Sequence, residues 1–422
     1  MEEIKKICLF FLASLYYQYL AGQKIFIPMD DEQKNHLKAY GLTYWALSQD
    51  TKAEWLLNYR GGSFLLDGYS SIEKECKLRD ISFQVISEND AQKLRNAIAK
   101  PSVNAEIVEL LTPPKIAVYS PKTAQPWDDA VTLVLSYAEI PYDVIFDEEV
   151  LEEKLALYDW LHLHHEDFTG QYGKFWNSFK YAQWYKKQVQ EAERMALKYG
   201  YKKVSQLKLA VAKRIRDFTL GGGFLFAMCS ATDSYDIALS SDGIDFLDWM
   251  YDGDGIENDP QSKIDFDNCF AFENFTLELN PVIYEYSNID VQPNQRKVNE
   301  ENDVFVLNEF SAKWDIVPTI LTQNHQKIIK GFMGQTTAFQ KNVIKSSVTI
   351  LGENKLLNEA KYIHGTIGKG TWTFYGGHDP EDYRHMVGEE PTDLNLHPNS
   401  AGYRLILNNI LFPSAKKEKK KT

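Results

Sequence analysis

Between residues 23 and 112, short apolar runs alternate with stretches of helical spacing. KIFIPM is a strand candidate, Asp30 and Asp31 open the helical DEQKNHLKAYGLTYWAL, and AEWLLNY runs into the turn-forming Arg60-Gly61-Gly62. Helical IEKECKLR, alternating ISFQVIS and helical NDAQKLRNAIAK follow. The pattern predicts a small N-terminal α/β domain over 23–112, closed by the stiff Pro113-Pro114. From Lys115 the alternation is more regular: KIAVYS, helical DDAVTLVLSYAEI, YDVIFD, YDWLHLHH, a helical region from about Tyr172 to Phe218, then FLFAMC. Strands separated by helices pair in parallel through right-handed crossovers, so the expected fold class is α/β, with a doubly wound, mostly parallel, flavodoxin-like sheet over 115–412. Ligands bind such sheets beyond the C-terminal strand ends, which would put the ends of YDWLHLHH and FLFAMC on one rim.

Residues 240 to 340 are less regular and read as an insertion in that larger domain. Order returns with KYIHG and GTWTFYGG, a hairpin that would deliver His378 to a strand end, and with a last helix around GYRLILNNILF. At the other end, MEEIKKICLFFLASLYYQYLAGQK joins a short charged start, the apolar run Ile7 to Leu15, and small residues at Ala21 and Gly22. The run is shorter than a bilayer span of about 20 residues, so residues 1–22 read as a signal peptide, with a buried N-terminal helix as the alternative. The mature protein is then expected in the periplasm or at the cell surface, not integral to the membrane. The closing KKEKKK makes 413–422 a solvated basic tail.

Charge and cysteines narrow the picture further. A formal net charge of -13 repels a phosphate backbone, so the expected ligand is a small molecule, peptide or carbohydrate and not nucleic acid. Loss of Cys8 with the signal leaves Cys76, Cys229 and Cys269, of which at least one must be unpaired. Cys229 follows the apolar FLFAM and has Ala227 and Ala231 on either side, the small neighbours that a strand-to-helix nucleophile elbow needs. The Ser230 N–H would help hold an oxyanion, His378 in GGHDPE would serve as base and acid, and Asp379 or Glu381 would orient the imidazole.

An apolar strand ending in Cys229 and a late strand ending in His378-Asp379-Pro380-Glu381 resemble class I glutamine amidotransferase-like domains, although this motif is one residue longer than the family's His-Pro-Glu. GKGTWTFYGGHDPED is also similar to the trehalose-utilisation-like relatives of that fold. Over the whole chain, PMDDEQKNHLKAYGLTYWAL, YDWLHLHHEDFTGQYG and HPNSAGYRLILNN resemble a family of exported bacterial proteins often labelled asparagine synthetase B. The resemblance implies an exported protein whose larger domain is a thiol-dependent hydrolase of an amide or related acyl bond. Literal asparagine synthesis is disfavoured, because Glu2 stands where an N-terminal cysteine is needed and RGGSF lacks an SGGxDS-type pyrophosphate loop. That leading reading requires no cofactor.

The cluster HLHHEDF at 162–168 opens an alternative. Period-two alternation puts His162, His164 and Glu166 on one face, where they could hold a zinc-like metal with Asp379, His378 or His325 adding a ligand. Alternatively, His164, His165 and Glu166 line the pocket of Cys229. A metal-assisted hydrolase and a non-catalytic carbohydrate- or peptide-binding protein are thus the competing functions. Asp252, Asp254, Asn258 and Asp259 resemble a calcium loop but lack the glutamate at the twelfth position, so a solvated acidic turn is expected. Tyr172, Phe175, Trp176 and Phe179, continued by Trp184, form an aromatic stripe expected to pack a helix onto the sheet.

Overall fold

The computed structural model describes residues 22–122, 125–291, 296 and 298–416. The signal expected at 1–22 therefore lies outside the described residues except for Gly22. Among the described residues, fifteen strands divide between two sheets. The first contains β1 (Gln23–Ile27), β2 (Ala53–Leu57), β3 (Ser63–Asp67), β4 (Gln84–Ser87) and β5 (Glu106–Leu110), in the order β4-β1-β3-β2-β5. All its pairings are antiparallel. The second contains β6 (Ile116–Tyr119), β7 (Asp143–Ile145), β8 (Trp160–Leu163), β9 (Phe224–Met228), β10 (Val304–Leu307), β11 (Ile328–Lys330), β12 (Phe339–Gln340), β13 (Thr349–Asn354), β14 (Glu359–Ile367) and β15 (Gly370–Tyr375). Its order is β11-β10-β13-β14-β15-β9-β8-β6-β7, with β12 beside β14.

The helices of eight residues or more are α1 (His36–Ser48), α2 (Ser70–Leu78), α3 (Glu88–Ile98), α4 (Ala130–Tyr137), α5 (Gln183–Lys198), α6 (Val204–Gly221), α7 (Ser230–Ser240) and α8 (Ala401–Leu411). Every residue of α8 is buried. It can be so because its polar groups are matched: Asn408 Nδ2 donates to Leu321 O at 3.1 Å and to Gln323 O at 2.8 Å, and Asn409 Nδ2 to the Tyr362 hydroxyl at 2.7 Å. One apolar core joins Ile25 and Trp55 of the first sheet, Leu37 of α1, Val134 of α4 and Leu407 of α8 to Phe226 and Tyr375 of the second. The small N-terminal sheet and the larger part thus share a core.

The expected mostly parallel sheet is instead mixed. β15, β9, β8, β6 and β7 are parallel, whereas β11, β10, β13 and β14 add to them antiparallel. The hairpin between β14 and β15 explains part of this, since Gly368 and Lys369 leave room only for a reversal, with Ile367 opposite Gly370. Gly368 takes φ +58°, a conformation that costs glycine little. The segment read as an insertion contributes β10 and β11 to the far edge of the same sheet.

Register settles what meets at the rim. Tyr375 lies opposite Met228, Ala227 opposite Leu163, and Leu163 opposite Tyr119. Cys229, the 164–167 segment and His378 therefore all leave the parallel strands at the same end. The tail is held at its start, where Leu111 N donates to Ser414 O at 3.0 Å and Lys416 N to Glu109 O at 2.8 Å; residues 417–422 lie outside the described residues. Among the described residues no helix is long and apolar enough to cross a membrane.

Candidate functional site

β9 passes into α7 through Cys229, whose backbone sits at φ +49° and ψ -139°. A residue with a Cβ is strained there, and the surroundings must hold it. Ala227 and Ala231 are fully buried, and Ala231 N donates to His164 O at 2.8 Å, tying the elbow to the end of β8. The Cys229 sulfur accepts from Gln335 N at 3.3 Å. Burial pushes the thiol up, against the opposing backbone N–H groups of Thr336, Gln335 and Ser230. Cys229 opens on a cavity of about 330 Å³ whose walls include His165, His378, Gln335, Trp127 and Tyr284.

Histidines crowd the floor and side of this cavity. The ring centroids of His164 and His378 lie 4.4 Å apart, those of His164 and His165 4.9 Å, and those of His378 and His385 4.2 Å. Among the described residues, five ring nitrogens of these histidines, His164 Nδ1 and Nε2, His165 Nδ1, His378 Nε2 and His385 Nε2, are buried without a hydrogen-bond partner. His164, His165 and His378 can offer one nitrogen each within 4.8 Å of one another. Burial drives His165 and His378 well below the usual imidazole range, and neighbouring imidazoles add to the effect. At neutral pH both rings are uncharged and keep a free lone pair.

Two consecutive carboxylates stand behind the histidines. Asp129 caps α4, its Oδ1 accepting from Thr132 N at 2.9 Å. Its Oδ2 lies 3.2 Å from both His162 Nε2 and His164 Nδ1. The His164 contact is electrostatic and not an aligned hydrogen bond, since Nδ1 meets no hydrogen-bond partner. It still favours a proton on Nδ1, which leaves Nε2 as the bare nitrogen. Asp128 Oδ1 lies 2.9 Å from His385 Nε2, and Asp382 Oδ2 lies 3.0 Å from His385 Nδ1. Burial lowers His385, but the two carboxylates outweigh it and carry it up to about 9, so this ring is a cation beside His378.

Several expectations require correction. Glu381 does not orient His378: its Oε2 lies 3.2 Å from His397 Nδ1. Asp379 Oδ1 instead accepts from Glu381 N at 2.9 Å, closing a local turn, and burial raises its carboxyl. Among the described residues no hydrogen bond joins Cys229 to His378, and the His378 backbone N–H is used on Met333 O at 2.9 Å. Ser230 aims its N–H at the sulfur, while its buried hydroxyl has no partner.

The set His162, His164 and Glu166 does not form either. His162 is used by Asp129 and, at 3.3 Å, by Phe226 O, while Glu166 faces a separate cavity. The physical reason is that β8 ends at Leu163, so alternation no longer governs the residues beyond it. His325 is elsewhere, stacked on His36 at 3.9 Å. In the acidic turn, Lys203 Nζ takes the central position, 2.5 Å from Asp245, 2.9 Å from Asp252 and 2.5 Å from Asp254. The aromatic stripe packs: Phe175 meets Phe179 at 5.7 Å, Trp184 at 5.6 Å and Trp127 at 5.2 Å. Cys76, Cys229 and Cys269 are all buried free thiols.

Sequence reading missed Asp128, Asp129, His385 and Gln335. The first two carried a signal, a doubled aspartate at a helix start, but one cap accounts for only one of them.

Neither a protein-family profile nor a curated protein matches the chain. Among solved structures, it is similar to two cytoplasmic proteins of Salmonella typhimurium, at 11% and 13% identity, each alignment covering 72% of this chain and 100% of the other, with TM-scores of 0.35 and 0.37. A GH42 beta-galactosidase aligns over 63% of this chain and 28% of its own at 12% identity and a TM-score of 0.26, and likeness at these levels says nothing of what this chain does.

Proposed function

We propose that the protein is a metal-dependent hydrolase in which His164, His165 and His378 hold one zinc-class divalent ion beside the cavity of Cys229. The observation that carries this reading is the convergence of three buried, unpartnered imidazole nitrogens, two of them from residues in the cavity wall. Left empty of a donor, each such nitrogen is a desolvated polar atom that costs about 1–3 kcal/mol. Three imidazoles beside a cavity would suit an ion that polarises a carbonyl or acidifies a bound water.

The chain's own residues support that role. Asp129 selects the His164 tautomer from behind, and cationic His385 can meet negative charge forming next to His378. Trp127, Phe175 and Tyr284 give the cavity an aromatic wall for a small ester or amide. The finer fold reading belongs with the proposal: the parallel half of the large sheet, with its elbow after β9, corresponds to a class I glutamine amidotransferase-like, doubly wound domain. Export through residues 1–22 is kept as part of the same reading.

A second reading rests on one specific observation, the strained backbone of Cys229 in the cavity wall. It makes the thiol the nucleophile toward an amide, with His165 or His378 as the base. The two readings separate in one experiment with a panel of small esters and amides. Chelation followed by zinc re-addition should abolish and restore turnover, while Cys229→Ala should retain it. Activity that survives chelation but is lost on selective alkylation of Cys229 by iodoacetamide establishes the thiol reading instead.

A further inference from the structure

A second cavity, of about 190 Å³, lies under the loop that follows β8, between the segment at residues 146–149 and one face of α5. His165 lines the first cavity and its neighbour Glu166 lines this one. Most charged groups here are already matched. Lys208 Nζ lies 2.9 Å from Asp147 Oδ1 and 2.9 Å from the Tyr119 hydroxyl, Lys122 pairs with Glu149, and Glu148 pairs with Lys198 at 2.7 Å. The Asp167 carboxylate is consumed by Thr169 N at 2.7 Å, the Thr169 hydroxyl at 2.6 Å and Gly173 N at 3.1 Å.

Two groups in the wall remain without a donor. Among the described residues the side chain of Glu166, 6% exposed, meets no hydrogen-bond or ion-pair partner, while its main-chain oxygen accepts from the Ser234 hydroxyl at 3.1 Å. Gln188 Oε1 is also buried and unpartnered. The Gln188 oxygen is an acceptor, and so is the Glu166 carboxyl once it has given up its proton. A buried acceptor with nothing to receive from is costly unless a ligand brings the donor. Among the lining residues, Asp147, Glu148, Glu149, Asp167 and Glu191 outnumber Lys122, Arg194 and Lys208, with Lys198 matching Glu148 from outside the wall, and burial followed by the nearby carboxylates pushes the Glu166 carboxyl up to about 8. Between the polar groups stand Phe146, Tyr172, Met195 and Val204, an apolar sleeve.

We infer that this cavity is a binding site for a small organic cation, a primary ammonium on a short aliphatic stem, with Glu166 and Gln188 receiving its N–H groups and the sleeve taking its methylenes. The inference does not depend on the metal reading. A ligand bound there would press on Glu166, one peptide bond from His165.

Calorimetric titration of the purified protein with 1,4-diaminobutane tests the site, with 1,4-butanediol as neutral isostere and succinate as the opposite charge. The diamine should bind saturably, and diol and succinate should bind at least about tenfold more weakly. Glu166→Gln, which keeps the shape, should weaken diamine binding about tenfold or more, with bound metal unchanged. Ala192→Trp, which fills the cavity from α5, should abolish it. No saturable binding of the diamine, equal binding of the diol or succinate, or unchanged affinity in Glu166→Gln overturns the inference. If circular dichroism shows Glu166→Gln unfolded, Ala192→Trp decides alone, and retained affinity there overturns it. Because metal content is read on the same samples, failure of this site and failure of the metal site are separate results.

Discussion

His36 and His325 stack at 3.9 Å beside Arg404 of α8, while His164, His165 and His378 gather at the rim of the larger sheet. Burial pushes His36 down to about 4 and His325 to about 3 in the first group, and lowers His165 and His378 in the second. They differ in what stands behind them. The first pair is backed by a cation: Arg404 Nη1 donates to Met29 O at 2.9 Å and lies 3.3 Å from His325 Nδ1, and its Nε donates to the Tyr40 hydroxyl at 3.1 Å. His36 is used up by Asn399 Oδ1 at 3.0 Å and Met29 O at 3.1 Å. A guanidinium at that distance repels a metal ion. The rim group is backed by Asp128 and Asp129 and turns bare nitrogens toward a cavity. Histidine number and burial do not define a metal site; the charge of the neighbours and the free lone pairs do.

The sharpest way to break that contrast is at its structural pole. Arg404→Met keeps the bulk but strands Met29 O, Gly61 O and the Tyr40 hydroxyl, and should destabilise by about 3 kcal/mol or more in urea unfolding, leaving metal affinity in the folded protein unchanged. At the other pole, Asp129→Asn preserves the helix cap, because asparagine caps as well as aspartate, but removes the charge behind His164. Divalent-ion affinity should fall about 10–100-fold while the urea midpoint moves little. An unchanged affinity would reduce Asp129 to a cap.

Acid should distinguish the groups more gently. His36 and His325 titrate lower folded than the usual unfolded imidazole near 6.5, so between these values the unfolded chain binds more protons. Their contribution to stability is present above about pH 6.5 and declines as pH falls toward 4 and then 3. His325→Asn should flatten the fall of the urea midpoint between pH 6.5 and 4; an unchanged slope would place the acid sensitivity elsewhere. The smallest effect expected is on metal binding in that same variant, which should match the parent protein.

The chain announced part of this in advance. The hairpin of β14 and β15 was legible because KYIHG and GTWTFYGG flank the short connection from Thr366 to Lys369, and the shared rim was legible because parallel strands present their ends together. Other features were hidden for physical reasons. Val304–Leu307 and Ile328–Lys330 are too short to distinguish an edge strand from a loop by period, so these two antiparallel strands were read as part of an insertion. Asp129 was read only as part of a helical run, and its contact with the histidines depends on β6 lying beside β8, a pairing that local pattern does not encode. Glu166 was assigned by alternation past the last strand residue, Leu163.

The central claim is that His164, His165 and His378 make one metal site. Its most direct test is zinc binding to chelator-stripped protein, quantified by elemental analysis after dialysis, for the parent chain and for His378→Ala. Close to one zinc per chain is expected in the parent, and at least about a 100-fold loss of affinity in the variant. A parent protein that takes up no zinc, or a variant that binds it equally well, would contradict the claim.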